Sequence, residues 1–457
     1  MESRLSASDP SGSLPDTVTL LPSTRRAWLV TGLLFVFIVI NFADKALLGL
    51  ASKPLSAAFG LDAAGYGLVA SSFFLLFSVS GIAVGFLANR FPTRWLLLAL
   101  VIVWSISLAP MTWTTSIAVL VASRVTLGAA EGPAYGLANH SMFKWFPENK
   151  RQLPSSVLLM GSSVGTLLAA PGLTWVIQNV GWRTAFGVTS LLGVLWCIVW
   201  MTLVREEGPY GASAEPSPSD EPVLTTAVQH VAYRRIFCSG TFIGSVLLGF
   251  AAYFGVAIAV AWVPQFLQDG HGLSATAAGN VVAAFWAVSG ALILGTGLLS
   301  QRLTLRGVST TWSRGMLSVA MVLAGGILTL LGALVSSPTL SVVLLLAGIA
   351  APGGVVAIIV TLCEEISPVQ QRGAVLGTTV ALSTLAGVIA PTLMGRLVES
   401  ASEELAGYTT GFAVLAIICV VAAVAGAALI RPTRDAVLLR RPRETATAPD
   451  HYTQRPT

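Results

Sequence analysis

The sequence predicts an all-α membrane protein of twelve transmembrane helices, arranged as two six-helix halves. Three observations predict it. Hydrophobic residues make up 54% of the 457 residues and charged residues only 10%, with a mean hydropathy of +0.78, whereas a soluble domain carries about 25% charged residues. Apolar runs of the roughly 20 residues that a helix needs to cross a bilayer recur along the whole chain. Lys and Arg fall in alternate loops, as they do when successive spans reverse direction.

The chain opens on a polar tail, 1–26, rich in Ser, Pro and Asp. It has no short apolar core with a cleavage site, so no removable signal peptide is expected. Six apolar runs follow, near 27–51, 65–88, 94–113, 117–140, 152–178 and 183–204, and form an N-terminal bundle, 27–204. Residues 205–235 then carry Glu206, Glu207 and the run Glu215-Pro-Ser-Pro-Ser-Asp-Glu-Pro222, a composition that reads as a flexible linker. Six more runs, near 237–266, 275–300, 312–335, 339–364, 371–397 and 408–431, form a second bundle, 236–431. The tail 432–457 reads as disordered.

Of the 26 Lys and Arg, 21 lie in the two tails and the even-numbered loops, and only Lys53, Arg183 and Arg396 lie in the odd-numbered ones. The positive-inside rule therefore places both termini in the cytoplasm of a multi-pass protein of the cell's inner (plasma) membrane. The net charge of +5 expresses this sidedness. No basic segment is interleaved with aromatics, so no nucleic-acid partner is expected. The four cysteines, Cys197, Cys238, Cys363 and Cys419, fall in or beside spans. They give neither a disulfide framework nor metal-ligand spacing. No phosphate-cradling Gly-rich loop and no Ser/His/Asp or Cys/His set is present, so neither an ATP-driven pump nor an enzyme is expected.

The halves echo each other. Gly67, Phe73, Gly85, Arg90 and Arg94 recur at a constant offset of 212 as Gly279, Phe285, Gly297, Arg302 and Arg306. Pro147–Arg151 is matched by Pro368–Arg372, and Gly181–Phe186 by Gly407–Phe412. Parallel six-helix repeats are a transporter architecture with the solute site between the halves near the midplane.

Asp44, Lys45, Arg124 and Glu131 interrupt the first and fourth runs. A charge at membrane depth costs about 2.5–3.5 kcal/mol on insertion scales, and function is the default reason for it. Arg124 and Glu131, seven residues apart, share one helix face about 10 Å apart. Gly128, Gly132 and Gly136 line that helix at the spacing that lets a neighbour approach closely. Asn41 shares a face with Asp44 and Lys45. Asp44 and Arg124 lie at similar depth, in reach of each other. Ionised, the four charges sum to zero. One bound organic anion makes the sum −1, and a proton on Asp44 or Glu131 restores it, so anion and proton binding would help each other. The bland alternative is a set of buried ion pairs that only fixes helix register.

Gly85-Phe-Leu-Ala-Asn-Arg90 with Arg94 resembles the loop motif of the major facilitator superfamily. Asn41-Phe-Ala-Asp-Lys45, Arg124-Val-Thr-Leu-Gly-Ala-Ala-Glu-Gly-Pro133, Lys144-Trp-Phe-Pro147, Gly181-Trp-Arg183 and Trp262-Val-Pro-Gln265 resemble its anion:cation symporter branch. The resemblance implies the major facilitator fold, alternating access, a small organic anion as cargo, and protons, with no cofactor, as the coupling ion. It implies that Lys45 and Arg124 are anion ligands and that Asp44 and Glu131 are the proton-coupling acids. Lys45 departs from the branch, where Arg is usual, and offers a point charge instead of a bidentate fork. Asn89 stands where the superfamily's loop motif usually has Asp, and Gln301 stands at the mirrored position, which puts the usual latch in doubt.

Sugar-acid carriers of the branch place Tyr, Gln and Asn around the site. The matching positions here hold Phe42, Phe77, Ser162 and Thr384, each with a lost or shortened hydrogen-bonding group. A polyhydroxylated acid needs many such partners, so the pocket suits an aromatic or otherwise apolar carboxylate better. Gln265, near the end of the seventh run, joins Asn41 as a pocket candidate. The expectation is a proton-coupled importer, working as a monomer in the lipid bilayer. The alternatives are a proton-linked drug or metabolite exporter and a non-transporting membrane sensor. The order Gly161, Gly165, Ala170-Pro171-Gly172 matches the exporters' Gly-Pro motif poorly.

Overall fold

A computed structural model describes residues 24–88, 90–147, 150–204, 208, 231–368 and 371–440, and every structural statement below concerns these. Most of the linker expected at 205–235 and the departure at Asn89 lie outside the described residues. Twelve helices are long and apolar enough to span a membrane: Thr24–Leu50, Ala63–Leu87, Thr93–Thr112, Ile117–Phe143, Leu153–Asn179, Trp182–Leu203, Gly240–Ala261, Ala275–Leu305, Thr311–Leu334, Pro338–Glu365, Arg372–Ser400 and Glu404–Leu429. We number these spans in chain order. Span 1 begins and span 12 ends on what we call the terminal face, opposite the far face.

Several spans break where side chains dictate. Span 4 turns at Gly132-Pro133, and span 10 tightens to a 3-10 turn at Ala351–Gly354, around Pro352. Span 7 stops at Ala261, short of the expected 266, because Pro264 has no N–H for the carbonyl four residues back. A π-turn, Phe266–Gly270, follows it.

Small residues set the helix spacing within the N-terminal half. A Cβ on Gly128 or Gly132 would overlap the carbonyl of Phe73 or Phe77, so span 4 lies directly on span 2. Gly136, the third of the expected stripe, has nothing within 4 Å. Gly161 and Gly165 seat span 5 against Phe35, Ile38 and Val39 of span 1.

The halves meet at the far face. Gly67 of span 2 lies against the Pro391 carbonyl of span 11, and Gly395 against that of Ala63, with no room for a Cβ. The Thr392 amide donates to Ser71 Oγ at 3.1 Å, and the Ala64 amide to Glu399 at 3.1 Å. Gln178 and Thr276 bond at 2.8 Å between spans 5 and 8, and Lys53 pairs with Asp269. The described polar tie between the halves nearest the terminal face is the hydrogen bond between Ser78 and Thr384. Beyond it, Arg372–Glu364 (3.0 Å) and Arg314–Glu365 pair within the C-terminal half. Arg94 donates to the Met201 carbonyl at 3.3 Å, a helix C-terminus in its own half. The outer part of span 2, Ala63–Ser72, buries six residues, whereas Phe74–Leu87 buries none. The molecule is closed at the far face and parts toward the terminal face.

The tail departs from the expected disorder after residue 432. Pro432–Arg440 is a helix, held because Asp435 accepts from the Thr241 amide at 2.8 Å and its hydroxyl at 2.7 Å and so caps span 7. Gln371 clasps both backbone groups of Val231, at 3.0 and 2.8 Å, where the chain returns from the linker.

Candidate functional site

The four intramembrane charges share one chamber in the N-terminal half, because Gly128 and Gly132 draw span 4 onto span 2 beside span 1. The Lys45 ammonium donates to Asn41 Oδ1 at 2.5 Å, one helical turn back on the same face, and lies 3.4 Å from Glu131 Oε2. The Phe42 and Phe77 ring centroids stand 4.4 and 5.5 Å from it. Two cation–π faces and one carboxylate thus hold a side chain that is 15% exposed.

Asp44 is fully buried, and neither of its oxygens has a hydrogen-bond partner. It lies within electrostatic reach of Glu131, Arg124 and Lys45. The contact that similar depth made possible between Asp44 and Arg124 is not closed. The Arg124 guanidinium instead sits over the Phe186 ring, 5.6 Å from its centroid, with Nε and Nη2 buried and unpartnered. Thr189 faces Asp44 but gives its hydroxyl to the carbonyls of Ala185 and Phe186 at 3.2 and 3.1 Å.

Asn41 Nδ2 and both Glu131 oxygens also lack hydrogen-bond partners. Buried polar groups are normally satisfied, and each exception calls for an explanation. Here the unpartnered donors sit on Arg124 and Asn41 and the unpartnered acceptors on Asp44 and Glu131 Oε1, while Glu131 Oε2 keeps its ion pair with Lys45. Such a chamber offers N–H groups to an anion and oxygen lone pairs to protons.

The remaining candidates separate. Gln265 Oε1 is buried and unpartnered, just beyond the end of span 7 in the opposite half. Ser162 donates to the Leu159 carbonyl at 2.7 Å and has an intermediate exposure. Thr384 is fully buried, bonded to Ser78 and to the Val380 carbonyl at 2.9 Å, so its hydroxyl ties span 11 to span 2. Sequence reasoning missed Phe186, Thr189 and Tyr66. Tyr66 is the most legible in retrospect, because a phenol inside an apolar span must find a hydrogen-bond partner.

The chain as a whole is similar to known proteins. The family model described as Major Facilitator Superfamily matches residues 34–325 and 308–451. The D-galactonate transporter of Escherichia coli O6:H1 is 23% identical over 394 residues, covering 82% of this chain and 90% of that protein. The hexuronate transporter of Bacillus subtilis is 24% identical over 404 residues, covering 84% and 93%. Among solved structures, a bacterial homolog of the human lysosomal transporter Spinster, in an inward-facing and occupied conformation, superposes with a TM-score of 0.75 at 19% identity, over 90% of this chain and 99% of that one. The D-xylose-proton symporter gives a TM-score of 0.72 at 17% identity, over 89% and 99%. The chain belongs to the major facilitator superfamily and is a multi-pass membrane transporter, not an enzyme, that resembles the anion:cation symporter type.

Proposed function

We propose that this transporter imports a small organic anion, a carboxylate with an aromatic or otherwise apolar body, by proton symport and alternating access. The observation that carries the reading is the uneven pairing of the chamber. Lys45 holds Glu131, while Asp44 and Arg124 stand buried without hydrogen-bond partners. A carboxylate that engages Arg124 and Asn41 and competes for Lys45 frees Glu131. The chamber then carries one excess negative charge, which a proton on Glu131 or Asp44 removes. Anion and proton each favour the other's binding, which is the thermodynamic content of symport.

Lys45, Arg124 and Asn41 contact the anion in this reading, and Asp44 and Glu131 take the proton. Phe42 and Phe77 flank the ammonium, so a carboxylate on Lys45 lays its body against two rings. Gln265 reaches the substrate from the other half, and Ser162 and Thr384 shape the wall. Relatives named for galactonate and hexuronate support an organic anion. The aromatic preference rests on the phenylalanines. The terminal face is cytoplasmic on the positive-inside rule, and the membrane is the plasma membrane. The face toward which the halves part is then the cytoplasmic one in this conformation. One chain holds both halves and works as a monomer.

The experiment is uptake by proteoliposomes of a panel of aromatic, aliphatic and sugar acids, with and without an inward proton gradient. Gradient-driven accumulation of aromatic acids supports the reading. Uptake of every anion unaffected by the gradient contradicts it.

A further inference from the structure

Tyr66 has no part in the charge balance above, yet it stands where the charged chamber meets the far-face seal. It is 1% exposed, and its hydroxyl donates to the Ala261 carbonyl in the other half at 2.9 Å, with the Leu48 carbonyl at 3.3 Å. Its ring meets Trp262 edge-on, with centroids 5.0 Å apart. Trp262 Nε1 in turn donates to the Pro391 carbonyl at 3.1 Å, the same carbonyl that Gly67 lies against. Tyr66, Trp262, Pro391 and Gly67 thus form a closed circuit joining spans 2, 7 and 11.

The circuit exists because span 7 is broken. Pro264 offers no N–H to the Val260 carbonyl, and Gly49 of span 1 packs directly on that carbonyl, where a Cβ would overlap it. The next carbonyl, Ala261, ends the helix and takes the Tyr66 hydroxyl. The phenol also lies within electrostatic reach of Arg124, whose Nε and Nη2 have no hydrogen-bond partner.

We propose that Tyr66 is a positioning residue for transport that couples the Arg124 chamber to closure of the far face. A phenol has one proton to donate. With the far face closed, that proton goes to Ala261. With the far face open, Ala261 is withdrawn, the hydroxyl keeps only the longer contact to Leu48 in its own half (3.3 Å), and an anion at Arg124 can compete for its proton. Closure takes the hydroxyl back and leaves the anion to Arg124 and Lys45, which favours release toward the terminal face. The last step rests on the transport reading above, whereas the gate itself can be read without any substrate.

The test places Ser71→Cys, in the seam, on a Cys238→Ser background and measures its reaction with a bulky maleimide in detergent. Cys238 is the exposed native cysteine, and the other three are buried. Tyr66→Phe removes one hydrogen bond and keeps the ring, and is expected to raise the labelling rate about five-fold. Trp262→Phe, which removes the donor to Pro391 together with part of the ring that meets Tyr66, is expected to act in the same direction and carries the test if Tyr66→Phe does not fold. Arg124→Gln is expected to change the rate when Tyr66 is present and to add nothing in Tyr66→Phe. Parental labelling in both aromatic variants, or strictly additive effects of Arg124→Gln and Tyr66→Phe, overturns the proposal. A labelling shift without uptake of any carboxylate upholds the gate and contradicts the transport reading alone.

Discussion

Lys45 and Asp44 are neighbours in sequence with opposite fates. The Lys45 ammonium is held by Asn41 at 2.5 Å and by Glu131 at 3.4 Å, while Asp44 is fully buried with no hydrogen-bond partner on either oxygen. A helix turns about 100° per residue, so span 1 points the two side chains at different parts of one chamber.

Glu131→Gln keeps the shape and a hydrogen-bonding group beside Lys45 but cannot exchange a proton. Gradient-driven accumulation is expected to fall at least about ten-fold, the worth of a charge-assisted contact of roughly 1.5–3 kcal/mol, while exchange of labelled for unlabelled anion persists. Parallel uptake and counterflow assays in proteoliposomes read both quantities. Accumulation at the parental level removes Glu131 from proton coupling.

Asp44→Asn removes a buried charge that makes no hydrogen bond. Such a charge costs stability, so the variant is expected to melt higher, by roughly 1 °C for each kcal/mol recovered in a chain of this length, while losing accumulation. A thermal midpoint at or below the parent's shows that Asp44 is satisfied in a way its geometry does not reveal.

Gly128→Ala tests the close approach of spans 2 and 4. The added Cβ overlaps the Phe73 carbonyl, and overpacking costs about 1–3 kcal/mol. Gly136→Ala, with nothing within 4 Å, serves as the control and is expected to leave the midpoint unchanged. Equal midpoints for the two variants contradict the packing account.

Phe77→Tyr and Phe42→Tyr restore hydroxyls beside Lys45. Both are expected to move preference from aromatic toward hydroxylated acids, by about ten-fold if the new hydroxyl finds a substrate partner worth ~1–1.5 kcal/mol. Competition of panel acids against a labelled substrate measures it, and an unchanged order of inhibition shows that these rings do not line the site.

Much of this was legible in the sequence, for physical reasons. A bilayer demands about 20 apolar residues per helix, so the spans could be read from composition. The cost of charge in hydrocarbon made Asp44, Lys45, Arg124 and Glu131 conspicuous. Glycines at spacing four marked the span 4 contact, correctly at Gly128 and Gly132 and not at Gly136. Partner choice was not legible. A contact between Asp44 and Arg124 was possible on depth, and the two lie within electrostatic reach, but the guanidinium sits over Phe186 and Glu131 pairs with Lys45. Such choices depend on the rotation of one helix against another, which periodicity does not encode. The Tyr66–Ala261 bond joins residues 195 positions apart, and the Asp435 cap on Thr241 joins residues 194 apart. Neither leaves a local pattern.

The most direct test of proton–anion symport reads the proton itself. Proteoliposomes with a trapped pH dye are given an inward gradient of a transported anion at equal internal and external pH, with the membrane potential clamped. The account predicts that the lumen acidifies as the anion enters, and that Glu131→Gln abolishes the acidification. Anion entry with no change in lumen pH would contradict it.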